Sequence, residues 1–193
     1  MTELEVICAE LTCGDDVRAE AAALRLPEFG NAALENVRKL LNDPCTDNRW
    51  WAVRTLAVFD NTSPVTEDLL CALDDASGEI RQVAIMAFCN RPNLQALVPL
   101  IRLLSEKDPM TSKLASNALI LLGTPAVSAL LEVMEKGELS ARLEAVRALA
   151  EIKDPQAIPG LLRALDTDSA LMQYWAGQGL DNLGVGMLYF KPE

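Results

Sequence analysis

The side chains able to do chemistry in this sequence are five cysteines, several adjacent carboxylates, two aromatic doublets and a recurrent arginine. Histidine is absent from all 193 residues, which excludes Ser/His/Asp and Cys/His nucleophilic catalysis, the HExxH zinc site and histidine-ligated iron. Cys8, Cys13, Cys45, Cys71 and Cys89 form no CxxC pair and no zinc-like spacing, and their odd number argues against a disulfide framework. They read as small hydrophobes in a reducing compartment. Asp15/Asp16, Glu67/Asp68 and Asp74/Asp75 could serve acid/base or metal chemistry, but helix caps and solvated turns are their expected roles. Gly177-x-Gly179, followed by Gly184 and Gly186, has phosphate-loop spacing without the preceding strand that such a loop requires. No catalytic residue, metal site or cofactor follows from these residues.

The elements that carry these side chains repeat. Six segments align: Val17-Arg-Ala-Glu-Ala, Asn48-Arg-Trp-Trp-Ala, Ile80-Arg-Gln-Val-Ala, Thr111-Ser-Lys-Leu-Ala, Ala141-Arg-Leu-Glu-Ala and Met172-Gln-Tyr-Trp-Ala. The last position is always alanine (Ala21, Ala52, Ala84, Ala115, Ala145, Ala176), with successive differences of 31, 32, 31, 30 and 31. Four residues beyond the last five alanines stand Leu56, Phe88, Leu119, Leu149 and Leu180, which places each pair on one helical face. The first copy departs, with Arg25 at that place between two leucines. A second apolar-periodic run precedes each of these helices, so every repeat is two helices, and no strand-like alternation is present. The repeats fall at about 1–29, 30–61, 62–91, 92–122, 123–153 and 154–186 of one domain, and the apolar tail 187–193 is expected to cover the open end.

The punctuation agrees. Ser63-Pro64, Thr124-Pro125 and Asp154-Pro155 offer a side-chain oxygen at N-cap and Pro at N1, opening first helices. Asp15, Asp16, Asp47, Glu79, Asp108, Glu138 and Asp168 gather where second helices begin, facing the orphan N–H groups and the positive dipole end. The fold expected is all-α: a right-handed α-solenoid, or α-α superhelix, of about six helix pairs with a period of about 31 residues. A helix pair of this size cannot bury its apolar face alone, and small residues let stacked neighbours approach.

The unit resembles a HEAT repeat. Its Val/Ile-Arg-x-x-Ala-x-x-Ala-Leu core, as in Ile80-Arg-Gln-Val-Ala-Ile-Met-Ala-Phe, is similar to the short bacterial variety named after phycobilisome lyase subunits. The resemblance implies a solenoid with a concave face and an Asp–Arg ladder between neighbouring repeats through Arg18, Arg49, Arg81 and Arg142, with Ser112 and Gln173 in the other copies. It leaves function open, because that class includes bilin lyase subunits, phycobilisome-degradation factors and scaffolds.

The residues two and one before the alanine, and two after it, are expected on the outer, concave side. They supply Trp50, Trp51 and Arg54, then Met86, Lys113 and Arg147, then Tyr174 and Trp175, so four of the nine aromatics occupy two such sites. Trp, Tyr and Arg are the residue types enriched at binding hot spots. The net charge of −11 divides into +5 over ten-residue second-helix windows and −16 elsewhere. Extending each window three residues upstream brings the first sum to −1.

The expected function is a non-catalytic HEAT-repeat scaffold that binds a protein partner through its concave second-helix surface, as a monomer or in a hetero-complex. The resemblance implies an alternative: a phycobilin lyase subunit or degradation-like factor holding a phycocyanobilin-type bilin, which an aromatic and basic groove would suit by stacking and by pairing with its propionates. A more remote alternative is a HEAT-like DNA glycosylase, but the thin basic stripe and net repulsion oppose nucleic-acid binding. Met1-Thr-Glu-Leu-Glu-Val lacks the basic and apolar regions of a secretory leader, and no apolar run reaches membrane-spanning length, so a cytoplasmic location is expected.

Overall fold

A computed structural model describes residues 2–60, 63–167 and 169–185, with Ser63 described by its backbone alone. The Ser63 cap, Asp168 and the tail 187–193 lie outside the described side chains. The chain gathers into two compact units, Met1–Arg91 and Pro92–Glu193.

In the first unit, three helix pairs stack: α1 (Glu3–Leu11) with α2 (Asp16–Arg25), α3 (Gly30–Leu40) with α4 (Thr46–Leu56), and α5 (Ser63–Ala72) with α6 (Gly78–Asn90). The second unit repeats the plan with α7 (Leu97–Leu103) and α8 (Pro109–Leu122), α9 (Val127–Lys136) and α10 (Leu139–Ile152), and α11 (Ile158–Leu165) and α12 (Ala170–Asn182). Each first helix of this unit is entered through a 3-10 turn. Second helices pack in series, α2 on α4 on α6 and α8 on α10 on α12. The fold is an all-α solenoid of helix pairs, with no strand among the described residues.

The core is the alanine column and its apolar companions. Ala52, Ala84, Ala115, Ala145 and Ala176 have no solvent exposure, and Leu56, Phe88, Leu119, Leu149 and Leu180 are buried one turn further on. Each of these alanines is the seventh residue after its helix N-cap, namely Cys45, Ser77, Asp108, Glu138 and Ser169. In α2 the N-cap is Asp15, so the equivalent is Ala22, which is buried, and not Ala21, which is exposed. The shift of one residue also replaces Arg25 by the buried Leu26, removing the irregularity of the first copy. Arg18 then falls one place before the arginine column, whose first member is the buried Ala19.

Two punctuation signals resolve differently. Asp154 caps its turn by accepting the Gln156 N–H at 2.8 Å. Thr124, however, lies inside the 3-10 turn that follows Gly123, and its hydroxyl donates instead to Asp154 at 2.7 Å, linking the starts of two successive repeats. That hydroxyl, and then the Gln156 N–H, hold the Asp154 carboxyl below its ordinary pKa.

The two glycines of the apparent phosphate loop are helical residues of α12 with opposite surroundings. A Cβ on Gly177 would meet nothing within 4 Å, whereas one on Gly179 would lie 2.8 Å from Leu161 Cδ1 and 2.9 Å from Ala150 Cα. Gly179 is therefore where α12 rests closest on α10 and α11. Gly177→Ala is expected to raise stability by about 0.5–1 kcal/mol, through the better helix propensity of alanine. Gly179→Ala is expected to lower it by about 1–3 kcal/mol through overpacking. Urea denaturation of the two variants checks the contrast.

Candidate functional site

The turns that deliver each second helix are built by the arginine column. Asp43 Oδ1 accepts the Cys45 N–H and Asp75 Oδ1 the Ser77 N–H, both at 2.8 Å, closing equivalent turns in two repeats. Arg49 donates back to the carbonyls of Asp43 and Pro44 at 2.9 and 3.4 Å, and Arg81 to those of Asp75 and Ala76 at 2.8 and 3.2 Å. Gln173 reproduces the contact from α12, donating to Thr167 O at 2.6 Å, while Arg142 donates to Met134 O at 2.9 Å. The side chain at this place clamps the turn behind its own helix.

Arg49 also reaches the next repeat. Its Nε and Nη2 pair with both Asp75 oxygens at 2.9 and 3.1 Å, a bidentate contact with about one-sixth of each side chain exposed. This is an Asp–Arg rung between two repeats, whereas Arg142, bonded to the Met134 carbonyl and to no carboxylate among the described residues, departs from the expected ladder. Arg18 pairs instead with Glu10 of its own repeat, consistent with its place outside the column. Burial works to raise the Asp75 pKa, but hydrogen bonds from Arg49 and the Ser77 N–H outweigh it and leave the carboxyl below its ordinary value.

In the first unit the turns frame a cleft of about 670 Å³. Its floor is Trp50 and Trp51, adjacent on α4, with ring centroids 4.8 Å apart and planes at 83°, an edge-to-face pair. Leu11 and Cys45 complete the apolar part of the lining. Asp16, Asp47 and Glu79 stand in the first turns of α2, α4 and α6 and line the same cleft. All three are exposed, and none makes an ion pair or side-chain hydrogen bond among the described residues. The cleft lining contains no basic residue.

The remaining predicted site residues divide between the units. Met86 is half exposed on α6. Arg54 pairs with Glu20 of the preceding second helix. In the second unit Arg147 is nearly covered, with bonds to Glu144 and Glu151 at 3.0 Å, Asn117 at 2.9 Å and Lys113 O at 3.4 Å. Arg54 and Arg147 occupy the same place in their repeats, and each reaches back to the neighbouring second helix. Lys113 is exposed. Tyr174 is 57% exposed and Trp175 half-buried, with centroids 5.3 Å apart at 73°. The structure thus brings Trp50 and Trp51 together with carboxylates that sequence reasoning assigned only to helix capping. The one signal available was the sign change on extending the second-helix windows upstream.

Among the described residues no His, Cys, Asp or Glu cluster converges to hold a metal ion, and no helix is long and apolar enough to cross a membrane. What the arrangement offers is recognition.

Stacked helix pairs with a buried small-residue column and an arginine-clamped turn define a HEAT-repeat protein; residues 66–142 and 125–181 match the HEAT-repeat family, and the chain belongs to it. It is similar to a protein named phycobilisome maturation protein from Synechococcus elongatus, with 37% identity over 100 residues, 52% of this chain and 47% of that one. It is also similar to a phycocyanobilin lyase subunit beta from Nostoc sp., with 34% identity over 101 residues, 52% of this chain and 50% of that one. The chain spans about half the length of these relatives. The solved complex of CpcE and CpcF of phycocyanin lyase from Nostoc sp. contains a chain that superposes with a TM-score of 0.55. The match covers 95% of this chain and 78% of that one at 19% identity, a likeness of fold.

Asp75 and Asp154 both titrate below the ordinary 3.8 when folded. Their stabilising contribution is therefore complete above that value and is lost as pH falls below it. Replacing both with asparagine is expected to lower the urea midpoint at pH 7 and to flatten its dependence on pH between about 5 and 2.5. An unchanged slope would refute the role of the two carboxylates.

Proposed function

We propose that this chain is a phycobilisome-maturation protein of the bilin-lyase-subunit type, acting by holding an antenna protein or a second lyase subunit while bilin chemistry proceeds. The observation that carries the reading is the 34–37% identity, over half the chain, to proteins named phycobilisome maturation protein and phycocyanobilin lyase subunit beta. The chemistry of the chain is compatible with it. With no histidine, Ser/His and Cys/His pairs are excluded, and the reading assigns the protein surface and orientation. The two aromatic doublets are the anchors such a surface needs, since Trp and Tyr give large contact area at small entropic cost.

A linear tetrapyrrole carries two propionates. At the Trp50/Trp51 cleft these would face Asp16, Asp47 and Glu79, a like-charge arrangement that opposes binding. The Tyr174/Trp175 pair is the better contact for a bilin or for the protein that receives it.

Co-expression of the tagged chain with phycocyanin subunits, a partner lyase subunit and a phycocyanobilin supply tests this. Co-purification of an antenna or lyase subunit is expected, together with at least a tenfold loss of capture in Tyr174→Ala/Trp175→Ala, equivalent to about 1.4 kcal/mol. Failure to retain either protein, with no change in bilin absorbance, would overturn the reading.

A further inference from the structure

The cleft over Trp50 and Trp51 is chemically unlike a bilin site, and its own composition states what it would take. The floor is two half-buried indoles; no hydrogen bond from either N–H is made among the described residues. Asp16, Asp47 and Glu79 come from three successive repeats, one carboxylate from each. They do not converge as metal ligands do. They also sit in a row, because α2, α4 and α6 pack in series.

We infer that this cleft is a docking groove for an extended basic segment of a partner protein, whose arginine or lysine stems lie on the Trp50/Trp51 face while their cations meet Asp16, Asp47 and Glu79. Three arguments carry it. The first is charge complementarity: three carboxylates without ion-pair partners, and no basic residue in the lining, give the cleft a negative field that favours a cationic occupant over a neutral or anionic one. The second is the aromatic floor. An indole face is the best cation–π acceptor among side chains, and a guanidinium stacks on it while donating in plane to carboxylates. An uncharged apolar segment would use the indoles and leave the carboxylates facing a dehydrated interface.

The third argument is spacing. Stacked helices stand about 8–10 Å apart, and an extended chain advances about 3.3 Å per residue. A carboxylate on each successive second helix therefore matches a basic residue at about every third position of the bound segment. The face presented here belongs to the N-terminal ends of the second helices, where extending the sequence windows upstream already removes the positive sum, and it is acidic. Arg54, which follows the doublet on α4, is engaged by Glu20. The inference does not rest on the bilin reading, and its failure would leave that reading standing.

The test uses the full chain carrying Trp175→Phe, so that the only tryptophans left are Trp50 and Trp51. The probe is a peptide with arginine at every third position, Arg-Gly-Ser-Arg-Gly-Ser-Arg. Its glutamate counterpart and calcium ion are titrated separately. The arginine peptide is expected to change tryptophan emission saturably, to weaken as salt rises from 50 to 300 mM, and to lose at least tenfold in affinity in Asp47→Asn/Glu79→Gln, which preserves side-chain size. Trp50→Ala is expected to weaken binding similarly while the helical circular-dichroism signal at the assay temperature is retained. Equal binding of the glutamate peptide, unaltered affinity in the Asn/Gln variant, or displacement of the arginine peptide by calcium ion would each overturn the proposal, the last by making the row a cation site.

Discussion

Everything else in each unit depends on how closely consecutive second helices can approach. Ala52, Ala84, Ala115, Ala145 and Ala176 are without solvent exposure at the same place in their helices. At α12 the contact is closer still, since Gly179 has no room for a Cβ against Ala150. A larger residue at any of these contacts would push neighbours apart and lengthen every contact beyond it, because a stacked array has no second core to absorb the change. The leucines and Phe88 one turn on fill what the small residues leave.

Much of this was legible in the sequence, because a period near 31 and an alanine column are properties of the chain itself. The first repeat shows why alignment by residue type is weaker than alignment by cap. Val17-Arg18 matches the other copies by eye, yet Asp15 sets the start of α2, and counting from it makes Ala22 and Leu26 the core pair. Thr124 illustrates the same limit. Its position before proline fits an N-cap, but the preceding Gly123 at φ 72° carries the chain into the turn and frees the hydroxyl for Asp154. Local rules cannot anticipate a partner 30 residues away.

The candidate site was legible in its aromatics and not in its charge. Trp50, Trp51, Tyr174 and Trp175 stand out because a generic repeat places polar residues there. The arginines beside them look equally available in the sequence, but Arg54 and Arg147 turn inward to the preceding second helix. The carboxylates at helix starts look like simple dipole partners. Only the stacking of α2, α4 and α6 shows that Asp16, Asp47 and Glu79 share one cleft with the indoles. A side chain can satisfy a helix end and face a ligand at once, and one-dimensional reading sees only the first.

The ties between second helices also have a mechanical meaning. In the second unit Ser116 donates to Glu144 O at 3.1 Å, Arg147 to Asn117 at 2.9 Å and Asn182 to Ala150 O at 3.3 Å. In the first, Arg91 grips the carbonyls of Ala57 and Phe59 at the end of α4. Each alanine contact then acts as a fulcrum and each tie as a stay beside it. Bending the stack stretches directional bonds that hold over only a few tenths of an ångström. A partner that demands a wider face would therefore have to break such ties as well as part the alanine contacts.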